Sequence, residues 1–214
     1  MDPSLAQRIA DLGAWLRLGP LLTEYLPCTA RELRPAGLTT VLDEILVGAR
    51  SVLVECGCGS SSVVVARLLA RRGFGHLLSL EHDERQAAFV CSQLRRESLG
   101  HVAKVVHAPL ARHPAALGRA GWYSPRLVYD EVSDYVDQHG LIDLLLVDGP
   151  VGDELVRYPA LPVLHRVLAP GAVVLLDDIG QPGELTVMNR WRREFGLRFH
   201  TNRSARLGCA VLTL

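Results

Sequence analysis

Lysine is nearly missing from this sequence. Of its 23 basic residues only Lys104 is a lysine, so there is almost no candidate for a catalytic lysine, and the arginine skew suggests a GC-rich coding genome. Net charge is missing too. With 23 basic residues against 23 acidic ones, the chain presents no electrostatic footprint for nucleic acid or for a membrane surface. No apolar run approaches the length of a membrane span. The opening MDPSLAQRIADLGAWLRLGP scatters acids and arginines where a secretory leader would have a basic start and an apolar core. The five cysteines, Cys28, Cys56, Cys58, Cys91 and Cys209, are odd in number and show no metal-ligand spacing beyond Cys56-x-Cys58. They fit free thiols in a reducing cytoplasm. No internal repeat or low-complexity segment interrupts the chain. A small-molecule partner is left, served by 214 residues that suffice for one well-cored domain. A homodimer stays open.

What is present centres on SVLVECGCGSSS, residues 51–62. Val52, Leu53 and Val54 form the short apolar run of a parallel strand buried on both faces. Glu55 closes it, and Gly57 and Gly59 follow. Glycines there permit a tight turn and close approach of a ligand to the N–H groups that open the next helix. Val64, Val65, Leu68 and Leu69 continue at helical spacing up to Arg72, so the strand, loop and helix order is complete. A dinucleotide site would carry a third glycine where this loop has Ser60, Ser61 and Ser62. An acid aimed into the pocket would repel a pyrophosphate but suits a ligand with an ammonium group, and S-adenosylmethionine has one. Spelled E-x-G-x-G-S-S-S, the loop resembles motif I of class I S-adenosylmethionine-dependent methyltransferases. The bland alternative is that both glycines only close a strand-to-helix turn.

A second strand, Leu77 to Leu80, ends in Glu81. An acid at that tip lies beside the glycine loop and can accept hydrogen bonds from both ribose hydroxyls. His82 and Asp83 follow and can line an adenine pocket, before a helix from Glu84 to Arg96. A third strand, Val102 to Val106, leads into His107 and Ala108, to which the resemblance gives the adenine contact. His107 reads equally well as a structural histidine bonded to a carbonyl. From Ala111 to Pro125 no clean period appears. Trp122 and Tyr123 there can either wall a pocket or pack.

The fourth strand, LIDLLLVDGP, ends at Asp148, and the fifth, GAVVLLDDIG, ends at Asp177 and Asp178. Ligands bind at that edge of an open α/β sheet, so the three carboxylates converge if the strands are neighbours. Converging acids repel one another unless one takes a proton or a cation intervenes. All-oxygen ligands select a hard ion, magnesium first, with manganese or calcium as alternatives. Here the resemblance narrows to catechol O-methyltransferase and the macrolide-sugar O-methyltransferases, which place a metal-binding Asp after the fourth strand and an Asp-Asn or Asp-Asp pair after the fifth. The spellings HAPL, VDGP, RYPAL and LLDD, within roughly residues 30 to 195, look most like a small bacterial group related to them. The catechol enzyme has a lysine base three positions after its first metal Asp, where this chain has Val151. That departure leaves the base open between Asp148 and His165, and leaves a metal-free reading in which the acids position an amine or shape the pocket.

The expected fold is α/β, a Rossmann-like doubly wound sheet of seven strands in the order 3-2-1-4-5-7-6, ending in a hairpin of Leu197 to Thr201 and Gly208 to Leu214 after a helix from Glu184 to Phe195. Residues 1–48 form an N-terminal helical cap on a cofactor-binding core of 49–214. Its helices are expected at about Ser4 to Leu18, bracketed by Pro3 and Pro20, and at Leu38 to Val47. They either cover the ligand or pack on the sheet edge. The expected activity is metal-assisted methyl transfer to an oxygen of a small secondary metabolite, with a nitrogen- or carboxyl-directed enzyme or a non-catalytic nucleotide-binding domain as alternatives.

Overall fold

The computed structural model describes residues 4–29, 32–117, 121–152 and 154–212. Pro3 and the expected last two strand residues, Thr213 and Leu214, lie outside them. Among the described residues nine strands run in chain order as β1 (Val52–Cys56), β2 (His76–Glu81), β3 (Ala103–His107), β4 (Leu110–Ala111), β5 (Trp122–Tyr123), β6 (Ile142–Val147), β7 (Leu168–Leu176), β8 (Phe199–Asn202) and β9 (Leu207–Val211). Seven of them form one sheet in the order β3-β2-β1-β6-β7-β9-β8, and β4 pairs with β5 in a short separate ribbon. With that ribbon set aside, the order is 3-2-1-4-5-7-6. Only β9 runs against the others, inserted antiparallel between β7 and β8.

Alternation along the buried strands sends successive side chains to opposite faces, so two cores form. Val54, Leu78, Leu145 and Val174 pack one face together with Trp122, Tyr135 and Trp191. Leu53, Leu77, Leu144 and Leu175 pack the other with Ile45, Val64 and Leu94. The helices are α1 (Leu5–Leu18), α2 (Pro35–Leu46), α3 (Ser60–Arg72), α4 (Glu84–Arg96), α5 (Pro125–His139), α6 (Ala160–Leu164) and α7 (Pro182–Phe195). Asp143, the polar break in β6, is explained by its partners. Its carboxylate accepts from the Ser51 N–H at 2.8 Å and from the Val52 N–H at 3.0 Å, pinning the start of β1 to β6.

Three elements depart from expectation. Helix α5 occupies Pro125–His139, a stretch to which the sequence assigns no element. Val128, Val132 and Tyr135 make a narrow buried stripe, while Leu127 and Tyr129 on the same helix face solvent. Helix α1 is where it should be, yet the apolar stripe that its sequence spells, Leu5, Ile9, Leu12, Trp15 and Leu16, is exposed, and Ala14 and Leu18 are the residues facing inward. Helix α2 begins three residues earlier than expected, at Pro35, whose fixed φ and missing N–H suit the first helical position. Among the described residues no helix is long and apolar enough to cross a membrane.

Candidate functional site

At the C-terminal ends of β1, β2 and β6 lies a cavity of about 630 Å³. It is lined by the loop residues Gly57, Cys58, Gly59 and Ser61, by Glu81, His82 and Asp83, and by Asp148, Gly149 and Val151. Pro27, Thr29 and Glu32 close it from the segment between α1 and α2, so that part of the N-terminal extension does reach the ligand space. Gly57 has φ +90° and nearly touches Gly149: a Cβ at Gly57 would meet the Gly149 nitrogen at 2.9 Å. A side chain at either glycine would push the β1 and β6 loops apart and open the floor.

Neutral donors hold the carboxylates of the β1/β2 wall. Glu81 accepts from the Cys58 N–H at 2.8 Å and from the Asp83 N–H at 2.8 Å. The His82 Nδ1 lies 2.8 Å from its Oε1, off the line of a good hydrogen bond. Burial pushes the Glu81 carboxyl up, but His82 and the two backbone N–H groups outweigh it and hold it below the usual range. Glu55 is 1% exposed and sits beneath the loop, accepting from the Ser79 hydroxyl at 2.6 Å and closely from the Ser62 hydroxyl. Burial lifts its pKa to about 7 against those bonds.

Charge organises the β6/β7 wall. Burial raises the Asp148 and Asp177 carboxyls above the ordinary range, with repulsion from Asp177 adding to it at Asp148 and repulsion from Asp178 adding to it at Asp177. Arg157 lies among them with its side chain 8% exposed. One of its terminal nitrogens donates to the Asp177 carbonyl at 3.2 Å. The other is 3.5 Å from Asp148 and 3.8 Å from Asp178, and its Nε is 3.8 Å from Glu184. Asp178 has φ +59° and is also paired to Arg206 at 2.9 Å. The Asp177 Oδ1 is buried without a hydrogen-bond partner.

A model of the methyltransferase domain matches residues 54–179, more than half of the chain. The chain belongs to this methyltransferase family. No curated protein matches the sequence. Among solved structures, the O-methyltransferase TomG of Streptomyces achromogenes, involved in tomaymycin synthesis and solved with S-adenosylmethionine, is 17% identical with a TM-score of 0.54, over 100% of this chain and 92% of TomG. A putative caffeoyl-CoA O-methyltransferase of Staphylococcus aureus is 11% identical with a TM-score of 0.61, over 98% and 92% of the two chains. The methyltransferase PaMTH1 of Podospora anserina, bound to S-adenosylhomocysteine, is 11% identical with a TM-score of 0.62, over 96% and 88%. At such identities the likeness establishes the fold.

Of the residues singled out in the sequence of this methyltransferase, Gly57, Gly59, Ser61, Glu81, His82 and Asp148 line one cavity. Others do not reach it. Glu55 is sealed below the loop, where its hydroxyl partners replace the expected ammonium contact. Ser60 turns away, its hydroxyl donating to the Pro27 carbonyl at 2.5 Å. Ala108 is buried with its N–H on the Glu81 carbonyl, and His107 lies 3.3 Å from the His82 carbonyl, the structural contact of its two readings. Trp122 and Tyr123 are fully buried and pack edge to face. His165 precedes β7 at the opposite edge of the sheet and lies against Phe195, so it is not available as a base.

The three acids do converge, but their donor set does not fit a divalent ion. Among the described residues no group of three or more such side chains is arranged to hold one. The physical reason is Arg157. An ion about 4 Å from a guanidinium meets a repulsion of about 8 kcal/mol at an effective dielectric of about 20. The sequence reading also missed Glu32, which accepts from the Ser60 N–H at 2.9 Å and caps the start of α3. The signal for Arg157 was present: three acids that need a cation, in a chain rich in arginine.

Proposed function

We propose that this methyltransferase moves the methyl group of S-adenosylmethionine to an oxygen of a small molecule of secondary metabolism. The observation that carries this reading is the cavity itself, with Glu81 on one wall and Asp148 on the other, at the ends of the two strands that flank β1. Its volume lies within the usual range for a small-molecule site. When bound, the cofactor supplies a methyl group on a sulfonium that needs no covalent help from the protein. Positioning is then the main contribution, with the acceptor about 3 Å from the methyl carbon.

Glu81 has four acceptor positions, two of them taken by backbone N–H groups, which leaves room for the ribose hydroxyls. His82 and Asp83 beside it border the space for the base, and Gly57 and Gly59 let the loop backbone approach the methionine end. On the acceptor side Asp148 receives the proton that leaves the hydroxyl, being the carboxyl of its pair that reaches the cavity. No step passes through a divalent ion, because Arg157 occupies the cluster. Val151, where the catechol enzyme has its lysine, gives the acceptor an apolar border.

Calorimetry with S-adenosylmethionine, S-adenosylhomocysteine and NAD tests the reading. Binding of the first two at micromolar concentration, lost in Glu81→Ala, is the expected result. Tighter binding of NAD would overturn it.

A further inference from the structure

We propose that Arg157 stands where a divalent cation would otherwise sit, as a positioning residue that fixes the acceptor-side carboxylates and makes the site indifferent to divalent ions. The inference rests on the methyltransferase reading for the role of the cavity, and on geometry alone for the role of the arginine.

Three acidic side chains come within 4 Å of one guanidinium, Asp148 after β6, Asp178 after β7 and Glu184 in the first turn of α7, and a fourth acid, Asp177, offers it its backbone carbonyl. A planar fork of N–H donors can serve several oxygens at once, as the 3.2 to 3.8 Å separations here reflect. A metal would need the same oxygens drawn in to about 2.0 to 2.6 Å. Two features oppose that contraction. Both Asp178 oxygens already face cations, Oδ1 toward Arg206 and Oδ2 toward Arg157. Arg157 is itself buried, and one of its donors is tied to the Asp177 backbone, so admitting an ion would require expelling it.

The charge at this wall is therefore a fixed part of the protein. It reaches the cavity only through Asp148, the one of the four acids that lines it. A site without open coordination positions gives no advantage to a chelating diol.

Manganese serves as the probe, its free-ion spectrum followed by electron paramagnetic resonance with S-adenosylhomocysteine present. Wild type should bind manganese more weakly than about 1 mM. Arg157→Ala, which uncovers the carboxylates, should gain at least about tenfold in manganese affinity, and the double variant Arg157→Ala with Asp177→Asn should lose that gain again. Arg157→Lys keeps a cation and should stay silent. Micromolar manganese binding by wild type that Asp177→Asn abolishes would overturn the inference. So would a folded Arg157→Ala with no gain. Should Arg157→Ala fail to fold, the wild-type and Arg157→Lys titrations still decide. Calorimetry of S-adenosylhomocysteine on the same samples separates the two claims: its failure to bind removes the methyltransferase reading, while the manganese result judges Arg157 independently.

Discussion

The two walls of the cavity bury their carboxylates in opposite ways. On the β1/β2 side Glu55 is held by hydroxyls and Glu81 mainly by backbone N–H groups, donors that add no charge, with the imidazole of His82 beside Glu81. On the β6/β7 side the carboxylates of Asp148 and Asp178 are held by Arg157 and Arg206, and Arg157 also donates to the Asp177 carbonyl. Neutral donors leave a local, self-contained acceptor site that a ligand hydroxyl can join. A buried guanidinium instead binds several acids into one unit, where removing one member exposes all the others. One wall is built to be read by a ligand, and the other is built to hold its own charges in place.

The largest effect should come from breaking the charged wall. Arg157→Met leaves buried carboxylates without their counter-ion and should cost about 3 kcal/mol or more, measured by urea unfolding. Manganese should return part of that stability to the variant and none to wild type. Equal stability of the two proteins would mean that the cluster is neutral without the arginine.

Next in size is Glu55. Its folded pKa of about 7 lies above its unfolded value, so the stability it contributes is full below about pH 4.5 and fades as pH rises through 7. The loss has an upper bound of about 3 kcal/mol. Glu55→Gln should remove this slope, seen by comparing urea midpoints of the two proteins at pH 5 and pH 8. Parallel curves would place an ordinary carboxylate beneath the loop.

Glu81→Gln comes third. It keeps an acceptor for one N–H but loses the charge, and should weaken S-adenosylhomocysteine roughly 10- to 100-fold, about 1.4 to 2.7 kcal/mol, with little change in unfolding. A stability loss without an affinity loss would make Glu81 purely structural. Smallest of all is Leu12→Gln on the outer face of α1, where a side chain 65% exposed should change stability by less than about 0.5 kcal/mol.

Much of this was legible beforehand, and the exceptions have a common cause. The strands β1, β2, β6 and β7 announce themselves as apolar runs ending in Glu55, Glu81, Asp148 and Asp177, because a doubly covered parallel sheet demands such runs. From these the strand order and the converging acids follow. Sequence does not show which way a side chain at a strand end points, and so Glu55 was placed in the cavity when it lies beneath it. Nor does it show what fills a long connection. The argument that three carboxylates need a cation was sound, but the cation came from the turn before α6, and no period links Arg157 to Asp148 or Asp177. Helix α1 misled for the opposite reason. A stripe at helical spacing reads as a buried face, yet Leu5, Ile9, Leu12 and Leu16 point outward.

The most direct test of the whole account is a crystal structure grown with S-adenosylhomocysteine and manganese chloride, with anomalous scattering used to find the ion. The account predicts the ribose hydroxyls on Glu81, the base beside His82 and Asp83, the sulfur facing Asp148, and Arg157 between Asp148 and Asp178 with no anomalous peak among them. A manganese peak bound by Asp148, Asp177 and Asp178 with Arg157 swung out, or a nucleoside bound away from Glu81, would contradict it.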